Sequence, residues 1–571
     1  MTAGVQNVVS FVRRHARALT VAALFVAVGA LALIRLDNTV FWDDEAQTAV
    51  IARNFLATGT FTGWDGRNLL IYRNGRLLDR NLNTINSRLD SAVTAASFRL
   101  FGQTTWTGRF PFVVAGLAAL AVFALIVRRD FRDQPVLWLY ALAVLGFSVV
   151  FLLNIRQCRY YALGLLFSLL SYDAYRRGLA TTRWIWYVVF AIAVIGLFYS
   201  NYLYCAAFLG ALAIVHVAFH RRELGRKDLW KLGLAAVLVA AATVPYAVAH
   251  RIWYHPDSPW NAMWDNRRPT LLWWYVRDLN VLGLPWMVAA VLVFVVIFTW
   301  RSDRRTRRIL EFACLSIVFA VLVAMLTPQP VIGMTVADAR YLLPALPFLS
   351  ILVAAVLYFV HRRAKILAAV IFLAVISANI LSVSPWGWRF HWLLPAYLYE
   401  VSHDYPTAYS EVIAFLRQNA RQDDVVYMCP EYPSLPLQFY LGDKIKFGCM
   451  LLPQTTLPME KVEELEKAGA PLLMDRHYPD WIIFFGLQDR EHRPYPWPDA
   501  LAFFSRPHEL AGRLVQMDYI QMPSLDVYCY DPQRPELHLH SFGPVVDFDR
   551  QMESVYILWG RLVLADQSPG R

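Results

Sequence analysis

Three adjacent carboxylates, Asp43, Asp44 and Glu45, stand where the first long apolar run of the chain gives way to polar residues. One explanation is helix capping, because a carboxylate at the start of a helix accepts backbone N–H bonds and suits the positive end of the helix dipole. A single carboxylate is enough for that purpose. Three of them beside a membrane favour a site that removes a proton or holds a cation.

Two later segments place arginines beside tyrosines at the ends of apolar runs. The first contains Arg156, Arg159 and Tyr160, and the second contains Arg340 and Tyr341. Both segments fall on the predicted outer side of a membrane, where arginine is disfavoured. Arginines that run against this trend need a specific explanation.

Three explanations are open for these arginines. Long cationic side chains can extend toward lipid headgroups. Arg340 could instead form an ion pair with Asp338, two residues before it. A third option is a bound phosphate, because the guanidinium fork matches phosphate geometry and a leaving phosphate needs fixed positive charge. We predict the phosphate contact.

A metal site is the remaining option for the titratable side chains. His250, His255 and Asp257 lie in one predicted outer loop and could bind a cation. Histidines close to tryptophans at a membrane edge are more often interfacial. We therefore assign no metal ligand and leave a divalent cation open as a cofactor.

The amino-acid composition indicates that these residues belong to a membrane protein. The 571 residues are 57% hydrophobic and 15% aromatic, which is typical of a chain buried in lipid. The formal net charge of +11 comes largely from short arginine clusters between apolar runs. The charge therefore describes membrane topology, and no nucleic-acid partner is predicted. The chain also lacks a phosphate-binding glycine loop, which argues against an ATP-driven machine.

The apolar runs predict a multi-pass membrane protein with about eleven spans. Every second connection carries an arginine cluster in phase with the basic N-terminus, which places these connections in the cytoplasm. The other loops, and everything after about residue 385, then lie outside. The predicted spans cover about 20–36, 110–127, 135–153, 160–175, 184–199, 201–219, 229–250, 284–300, 309–326, 341–360 and 366–384.

The first outer loop, about 37–109, is too long to be a simple connection. A helix opening at Asp43 and closed by Gly59, and a second amphipathic helix from Leu82 to Ala96, are predicted to lie at the membrane surface. Asn74-Gly75 between them predicts a hairpin turn. The loop should form a small folded unit.

The last third of the chain changes character after about residue 385 and is rich in charge, proline and short elements. The predicted fold is therefore a polytopic α-helical membrane domain, 1–384, followed by an extracytoplasmic α/β domain, 385–571. The elements predicted in the second domain are helices near 407–420 and 458–468 and strands near 424–429, 445–449 and 481–485.

From about residue 20 to 350 the chain resembles the large membrane glycosyltransferases that include protein O-mannosyltransferases and lipid A aminoarabinose transferases. The motifs that carry the resemblance are Asp44-Glu45 at the head of a surface helix, Leu100-Phe101-Gly102, and Arg109-Phe110-Pro111 before the second span. The segments from Arg156 to Tyr161 and from Arg340 to Pro344 are similar to Arg-x-x-Arg-x-Tyr and Arg-Tyr-x-x-Pro stretches of that family.

The resemblance implies a GT-C fold, a polyprenyl-phosphate sugar as donor, and roles for particular residues. Asp44 is implied as the acidic residue that activates the acceptor or organises the site, and Tyr160 and Tyr341 as substrate-binding residues. The chain departs from the family at Thr84–Arg88, where many members have a Lys-Pro or Pro-Pro pair that is sometimes preceded by Glu. That departure argues against a metal site built on such a Glu.

The combined prediction is an enzyme of the cytoplasmic (inner) membrane that modifies lipopolysaccharide or polysaccharide, with a lipid, glycan or protein as acceptor. Asp44, flanked by Asp43 and Glu45, would help to deprotonate the acceptor hydroxyl in a single inverting displacement, while Asp43 would mainly cap the helix. The polyprenyl phosphate would leave toward Arg340, Arg156 and Arg159.

Two alternatives belong to other classes of protein. A transporter or flippase of lipid-linked sugars would also need many spans and phosphate-binding arginines, but transporters place their polar groups near the membrane midplane, often in repeated halves. Here the candidate residues lie at the outer edge and the sequence contains no repeat. A binding module on an inactive anchor would leave the acidic residues of the first outer loop without a purpose.

Overall fold

The structure is a computed structural model of the chain. It describes residues 3–70, 78–79, 81–84, 86–223, 225–250, 252, 268–299, 304–327, 339–382, 392–403, 408–429, 434–448, 458–471, 480–485, 525–529 and 539–542.

Helices dominate the described chain as far as residue 402, and every predicted apolar run overlaps one of them. Apolar segments in lipid become helical because only internal hydrogen bonds can satisfy their backbone. In chain order the helices are α1 (Ala3–Leu33), α2 (Asp43–Thr58), α3 (Leu89–Phe101), α4 (Thr105–Asp130), α5 (Pro135–Gly146), α6 (Val149–Ile155), α7 (Tyr161–Thr181), α8 (Trp184–Ser200), α9 (Tyr202–Val215), α10 (Arg226–Ala249), α11 (Arg268–Asp278), α12 (Trp286–Thr299), α13 (Arg304–Leu326), α14 (Leu346–His361), α15 (Lys365–Ser377) and α16 (Leu394–Ser402).

The helices make the chain a multi-pass membrane protein. Among the described residues, six helices are long and apolar enough to cross a bilayer, or up to seven if the bent pair α5 and α6 counts as one span. The other predicted runs lie on helices that are shorter or more charged, such as the 13-residue α15. The total of eleven spans stays a prediction.

Two neighbouring runs, 184–199 and 201–219, are separate helices, as the sequence predicts. The chain is extended at Asn201, with φ −161° and ψ 122°, and the Asn201 side chain accepts a hydrogen bond of 2.9 Å from the Tyr204 N–H. Asn201 is therefore the N-cap of α9.

The chain divides into two compact units. We call residues Met1–Arg35 and Phe112–Ser402 the helical unit, and residues Leu36–Pro111 and His403–Arg571 the mixed unit. The mixed unit thus combines the predicted first outer loop with the part of the chain after residue 402. The domain division at 384/385 rests on composition and stays a prediction.

A five-stranded sheet organises the second half of the mixed unit. Its order is β2-β1-β3-β4-β5, with β1 parallel to β2 and β3, and β4 antiparallel to its two neighbours. The predicted helices and strands of this region are present, whereas α18, β4 and β5 were not predicted. The elements are α17 (Ala408–Asn419), β1 (Val425–Cys429), α18 (Leu435–Leu441), β2 (Lys446–Phe447), α19 (Met459–Lys467), β3 (Trp481–Phe485), β4 (Leu525–Cys529) and β5 (Leu539–Phe542).

The first half of the mixed unit differs from the prediction at one helix. Helix α2 spans the predicted range and ends at Gly59, whose φ of +76° is the left-handed conformation that glycine adopts easily. The second predicted helix begins at Leu89, not at Leu82, because Leu82 has a φ of +62° and its carbonyl accepts a bond of 2.7 Å from the Gly63 N–H. The predicted turn at Asn74-Gly75 lies outside the described residues.

Candidate active site

The three carboxylates form the first turn of α2, which we call the acidic turn (Asp43, Asp44 and Glu45). The N-cap is Trp42, which has extended backbone angles and makes no side-chain capping bond. The prediction that Asp43 mainly caps the helix is therefore wrong, because Asp43 lies one position inside it. All three carboxylates nevertheless sit at the positive end of the helix dipole.

Glu45 is fully buried and forms a bidentate ion pair with Arg109. Arg109 Nε lies 2.9 Å from Glu45 Oε1, and Arg109 Nη2 lies 2.6 Å from Glu45 Oε2. The Glu45 side chain is 0% exposed and that of Arg109 is 7% exposed. This geometry is the strongest that an arginine and a carboxylate can form.

Arg109 also fixes the chain that leads into the acidic turn. Its Nη1 donates to the carbonyls of Leu36 (2.9 Å) and Thr39 (3.1 Å), and its Nη2 donates to the carbonyl of Val40 (3.1 Å). The sequence identified Arg109 only as part of a motif. A buried glutamate needs a cationic partner, but the sequence could not identify a partner 64 residues away.

Asp44 is the most accessible carboxylate of the acidic turn. Asp43 is only 6% exposed and Glu45 is fully buried, whereas Asp44 is half-buried. A group that takes a proton from a substrate must be reachable by that substrate. Among the three, Asp44 meets this condition best.

In the helical unit, the structure brings four of the predicted substrate-binding residues into an arginine–tyrosine cluster: Arg159, Tyr160, Arg340 and Tyr341, together with Tyr161. The Arg340 Cζ lies 5.8 Å from the ring centroids of both Tyr161 and Tyr341, and the Arg159 Cζ lies 5.4 Å from that of Tyr160. The rings of Tyr160 and Tyr161 are 4.6 Å apart. Aromatic faces stabilise guanidinium groups in this arrangement.

Secondary structure positions the cluster from two sides. Arg159 and Tyr160 lie in the turn between α6 and α7, while Arg340 and Tyr341 lie in a 3₁₀-helix, Ala339–Ala345, that precedes α14. Arg340 is 8% exposed. The two segments therefore meet although 181 residues separate Arg159 from Arg340 in the sequence.

Tyr204 is a residue of this cluster that the sequence did not reveal. Its hydroxyl donates to the carbonyl of Arg340, and its ring lies 5.6 Å from that of Tyr160. A Cβ at Gly164 would lie 2.5 Å from the Tyr204 ring. Glycine at position 164 thus lets α7 approach Tyr204 closely, and Tyr204 in turn holds the backbone of Arg340.

Arg156, the remaining predicted phosphate ligand, has a different set of partners. Its Nη1 donates to the carbonyls of Ala32 (3.0 Å) and Ile34 (2.8 Å), and its Nη2 donates to that of Arg35 (3.0 Å). These are the last carbonyls of α1 and of the turn after it, which carry partial negative charge. In the structure Arg156 caps α1.

Comparison with known proteins addresses the fold. No family model matches the chain, and no curated protein matches it. The crystal structure of ArnT from Cupriavidus metallidurans bound to undecaprenyl phosphate superimposes with a TM-score of 0.52 and 17% identity, covering 85% of this chain and 94% of that one. This chain has the GT-C fold of ArnT. The apo structure of ArnT gives the same TM-score of 0.52, with 15% identity and 86% of this chain covered.

A third solved structure is more distant than ArnT. The archaeal oligosaccharyltransferase AglB from Archaeoglobus fulgidus, in complex with an inhibitory peptide and a dolichol-phosphate, gives a TM-score of 0.44 with 10% identity, covering 83% of this chain and 70% of that one. The fold shared with ArnT, at a TM-score of 0.52, confirms the predicted resemblance.

The residues that could bind a metal ion do not form a cluster in the part of the chain that the structure describes. Over the described ranges, no three His, Cys, Asp or Glu side chains lie together as a metal site requires. The His250 ring packs 4.3 Å from that of Tyr246, while His255 and Asp257 are outside the described residues. Asp338, the alternative partner of Arg340, is outside them as well.

Proposed function

We propose that the chain is a glycosyltransferase that moves a monosaccharide from a polyprenyl-phosphate donor to an acceptor in the cell envelope. The observation that carries this proposal is the fold shared with ArnT over 85% of the chain, since the ArnT crystal structure holds undecaprenyl phosphate. The arginine–tyrosine cluster and the accessible Asp44 supply groups suited to such a donor and to an acceptor hydroxyl.

The acidic turn supplies the base in this proposal. Asp44 takes the proton of the acceptor hydroxyl because it is the most accessible of the three carboxylates. Glu45 belongs to the buried ion pair with Arg109, so its part is to hold the turn in place. Asp43 adds negative charge beside Asp44.

The arginine–tyrosine cluster binds the phosphate of the donor. Arg340 and Arg159 face the phosphate oxygens, and Tyr160 and Tyr341 bound the pocket. Arg156 supports the turn that carries Arg159, because its own guanidinium holds the end of α1.

The reaction is one displacement at the anomeric carbon. The deprotonated acceptor oxygen forms the new glycosidic bond while the bond from the anomeric carbon to the phosphate oxygen breaks, which inverts the anomeric centre. The electron pair leaves with polyprenyl phosphate, whose new negative charge is stabilised by Arg340. The proton resides on Asp44 until it passes to water. The bonds, charges and proton of this displacement are all accounted for without a divalent cation.

The reaction takes place on the outer side of the cytoplasmic membrane in this proposal, because the alternating arginine clusters predict a cytoplasmic N-terminus and candidate residues on the outer side. A reporter enzyme that is active only outside the cytoplasm should be active when fused after residue 571 and silent when fused near Arg305. The opposite pattern would exclude an outer active site.

Binding of undecaprenyl phosphate to the purified protein tests the proposal. Undecaprenyl phosphate should raise the melting temperature of the wild type, whereas undecaprenol, which has the same chain without the phosphate, should not. Arg340→Ala should abolish the shift, and Arg340→Lys should keep part of it because the charge remains without the fork. An equal shift by both lipids would rule out phosphate recognition.

The transporter alternative predicts the same binding but a different fate for the donor. A flippase leaves the bond between sugar and phosphate intact, whereas a transferase releases free polyprenyl phosphate. Mass spectrometry of the lipid after incubation therefore separates the two functions.

A further inference from the structure

One tyrosine of the mixed unit connects the chain after residue 402 to the acidic turn. Tyr440 belongs to α18, and its hydroxyl oxygen accepts a hydrogen bond of 2.9 Å from the Phe41 N–H. The same hydroxyl lies 2.7 Å from Thr105 Oγ1, at the start of α4. Phe41 is two residues before the acidic turn. One side chain of α18 thus ties the start of α2 to the start of α4.

The ring of Phe41 is held as firmly as its backbone. It packs edge-on against Phe439, with centroids 5.0 Å apart, and the Arg109 Cζ lies 5.5 Å from its centroid. A Cβ at Gly108 would lie 2.5 Å from Phe41 Cζ, so only glycine leaves room for the ring there. Phe41 is 0% exposed. The Phe41 ring is therefore tightly packed, whereas the Phe41 backbone N–H is held by the Tyr440 hydroxyl.

A second contact joins α18 to the far half of α2. Arg53 Nη1 donates to the carbonyls of Phe439 (3.1 Å) and Gln438 (3.4 Å), which are near the C-terminal end of α18. A cation suits that end of a helix. A Cβ at Gly442 would lie 2.5 Å from the Gln438 carbonyl oxygen and 3.3 Å from Arg53 Nη2. Helix α18 therefore contacts both the residue that leads into α2 and the second half of α2.

We infer that the chain after residue 402 positions the acidic turn through α18, and that Tyr440 is the positioning residue for Asp44. The inference rests on the proposed function, since Asp44 needs a fixed direction only if it takes a proton from an acceptor. Arg109 holds the turn from the side of Glu45, and Tyr440 holds it from the side of Phe41. Removing the Tyr440 hydroxyl frees the Phe41 N–H and lets the turn move while the rings stay packed.

Tyr440→Phe in the full-length protein tests the inference by two readouts. The first is hydrogen exchange of the amides in residues 38–46, which should become about tenfold faster because the Phe41 N–H loses its acceptor. The second is the kinetics of transfer from a panel of undecaprenyl-phosphate monosaccharides. The kcat should fall about 10–100-fold with an unchanged KM for the donor, because misplacing a reacting group by about 1 Å costs about that much.

Tyr427→Phe is the matched control. Tyr427 is a buried tyrosine in β1 of the same unit, so its replacement also removes one tyrosine hydroxyl from the interior of that unit. It should leave both the exchange of residues 38–46 and the kcat within about twofold of wild type. Thr105→Ser keeps a hydroxyl beside Tyr440 and should retain activity, whereas Thr105→Val should reproduce part of the Tyr440→Phe loss.

The two readouts separate failure of the inference from failure of the proposed function. If wild type transfers sugar and Tyr440→Phe matches it in both kcat and exchange, Tyr440 does not position Asp44. Equal effects of Tyr440→Phe and Tyr427→Phe would likewise overturn the inference, because the loss would be general. If the wild-type protein transfers sugar from no donor, the proposed function fails. In that case, unchanged hydrogen exchange of residues 38–46 in Tyr440→Phe would by itself reject the positioning role.

Discussion

Replacing Arg109 by methionine removes the cation from a buried pair and leaves the Glu45 carboxylate, which is 0% exposed, without its partner. Losing one member of a buried ion pair costs about 3–5 kcal/mol. The carbonyls of Leu36, Thr39 and Val40 lose a donor at the same time, at about 1 kcal/mol each if water does not replace it. Because such contributions are not additive, we expect a total of about 4–5 kcal/mol.

The loss should be visible in thermal unfolding of the detergent-solubilised protein, followed by tryptophan fluorescence. For a unit of this size, about 1 kcal/mol corresponds to about 2–4 °C, so Arg109→Met should lower the melting temperature by about 8–20 °C. Arg67→Met is the matched control, because Arg67 pairs with Asp423 at 2.8 Å in the same unit but both side chains are partly exposed. Such a pair contributes less than about 1 kcal/mol.

Glu45→Gln distinguishes a structural from a catalytic Glu45. The structural role predicts a lowered melting temperature, together with a double-mutant coupling between positions 45 and 109 of about 2 kcal/mol or more. Full stability with complete loss of transfer would show that Glu45 takes part in the chemistry. An Arg109→Met variant no less stable than Arg67→Met would refute the structural role of the buried pair.

Three other predictions concern single side chains. Asp44→Asn should lower the rate of transfer by about 10²–10⁴ with the melting temperature unchanged, whereas Asp43→Asn should lower it far less; a normal rate in well-folded Asp44→Asn would reject the assignment. Tyr204→Phe removes the bond to the Arg340 carbonyl, so it should cost about 1–3 kcal/mol of stability and weaken binding of undecaprenyl phosphate, as titration calorimetry would measure. Burial raises the pKa of Tyr440 from 10 to about 12, so the native state holds this proton more tightly than the unfolded state. The stabilisation that results is complete below about pH 10 and is lost as the pH rises toward 12, and the gap in melting temperature between wild type and Tyr440→Phe should narrow over that range.

Local patterns predicted much of the fold. The three carboxylates and Gly59 marked both ends of α2 within a residue, because charge at a helix start and a left-handed glycine after its end are local requirements. The helix near 407–420 and the strand Trp481–Phe485 were predicted from the pattern of their apolar residues, which is also a local property. The start of the second surface helix was wrong because Leu82 is held by Gly63, a partner that periodicity cannot reveal.

The sequence predicted which residues belong to the candidate site, but it did not predict which residues they contact. The sequence indicated Glu45 and Arg156 as polar residues at a membrane edge, and it assigned both to chemistry. In the structure Glu45 pairs with Arg109, and Arg156 donates to the carbonyls at the end of α1, and neither set of partners could be predicted from the sequence. Tyr204 was missed because an apolar helix conceals a single hydroxyl whose acceptor lies 136 residues away. Burial and long-range pairing decide these roles, and neither is encoded in local spacing.

A single-turnover measurement tests the proposed transfer reaction most directly. The purified protein in excess is mixed with a panel of undecaprenyl-phosphate monosaccharides and an extract of cell-envelope acceptors, and free undecaprenyl phosphate is quantified by mass spectrometry. We expect release of undecaprenyl phosphate from at least one donor, an inverted linkage in the product, and near-complete loss of release in Asp44→Asn and Arg340→Ala proteins of wild-type stability. Donors left intact by wild type, or the same release by both variants, would contradict the proposed reaction.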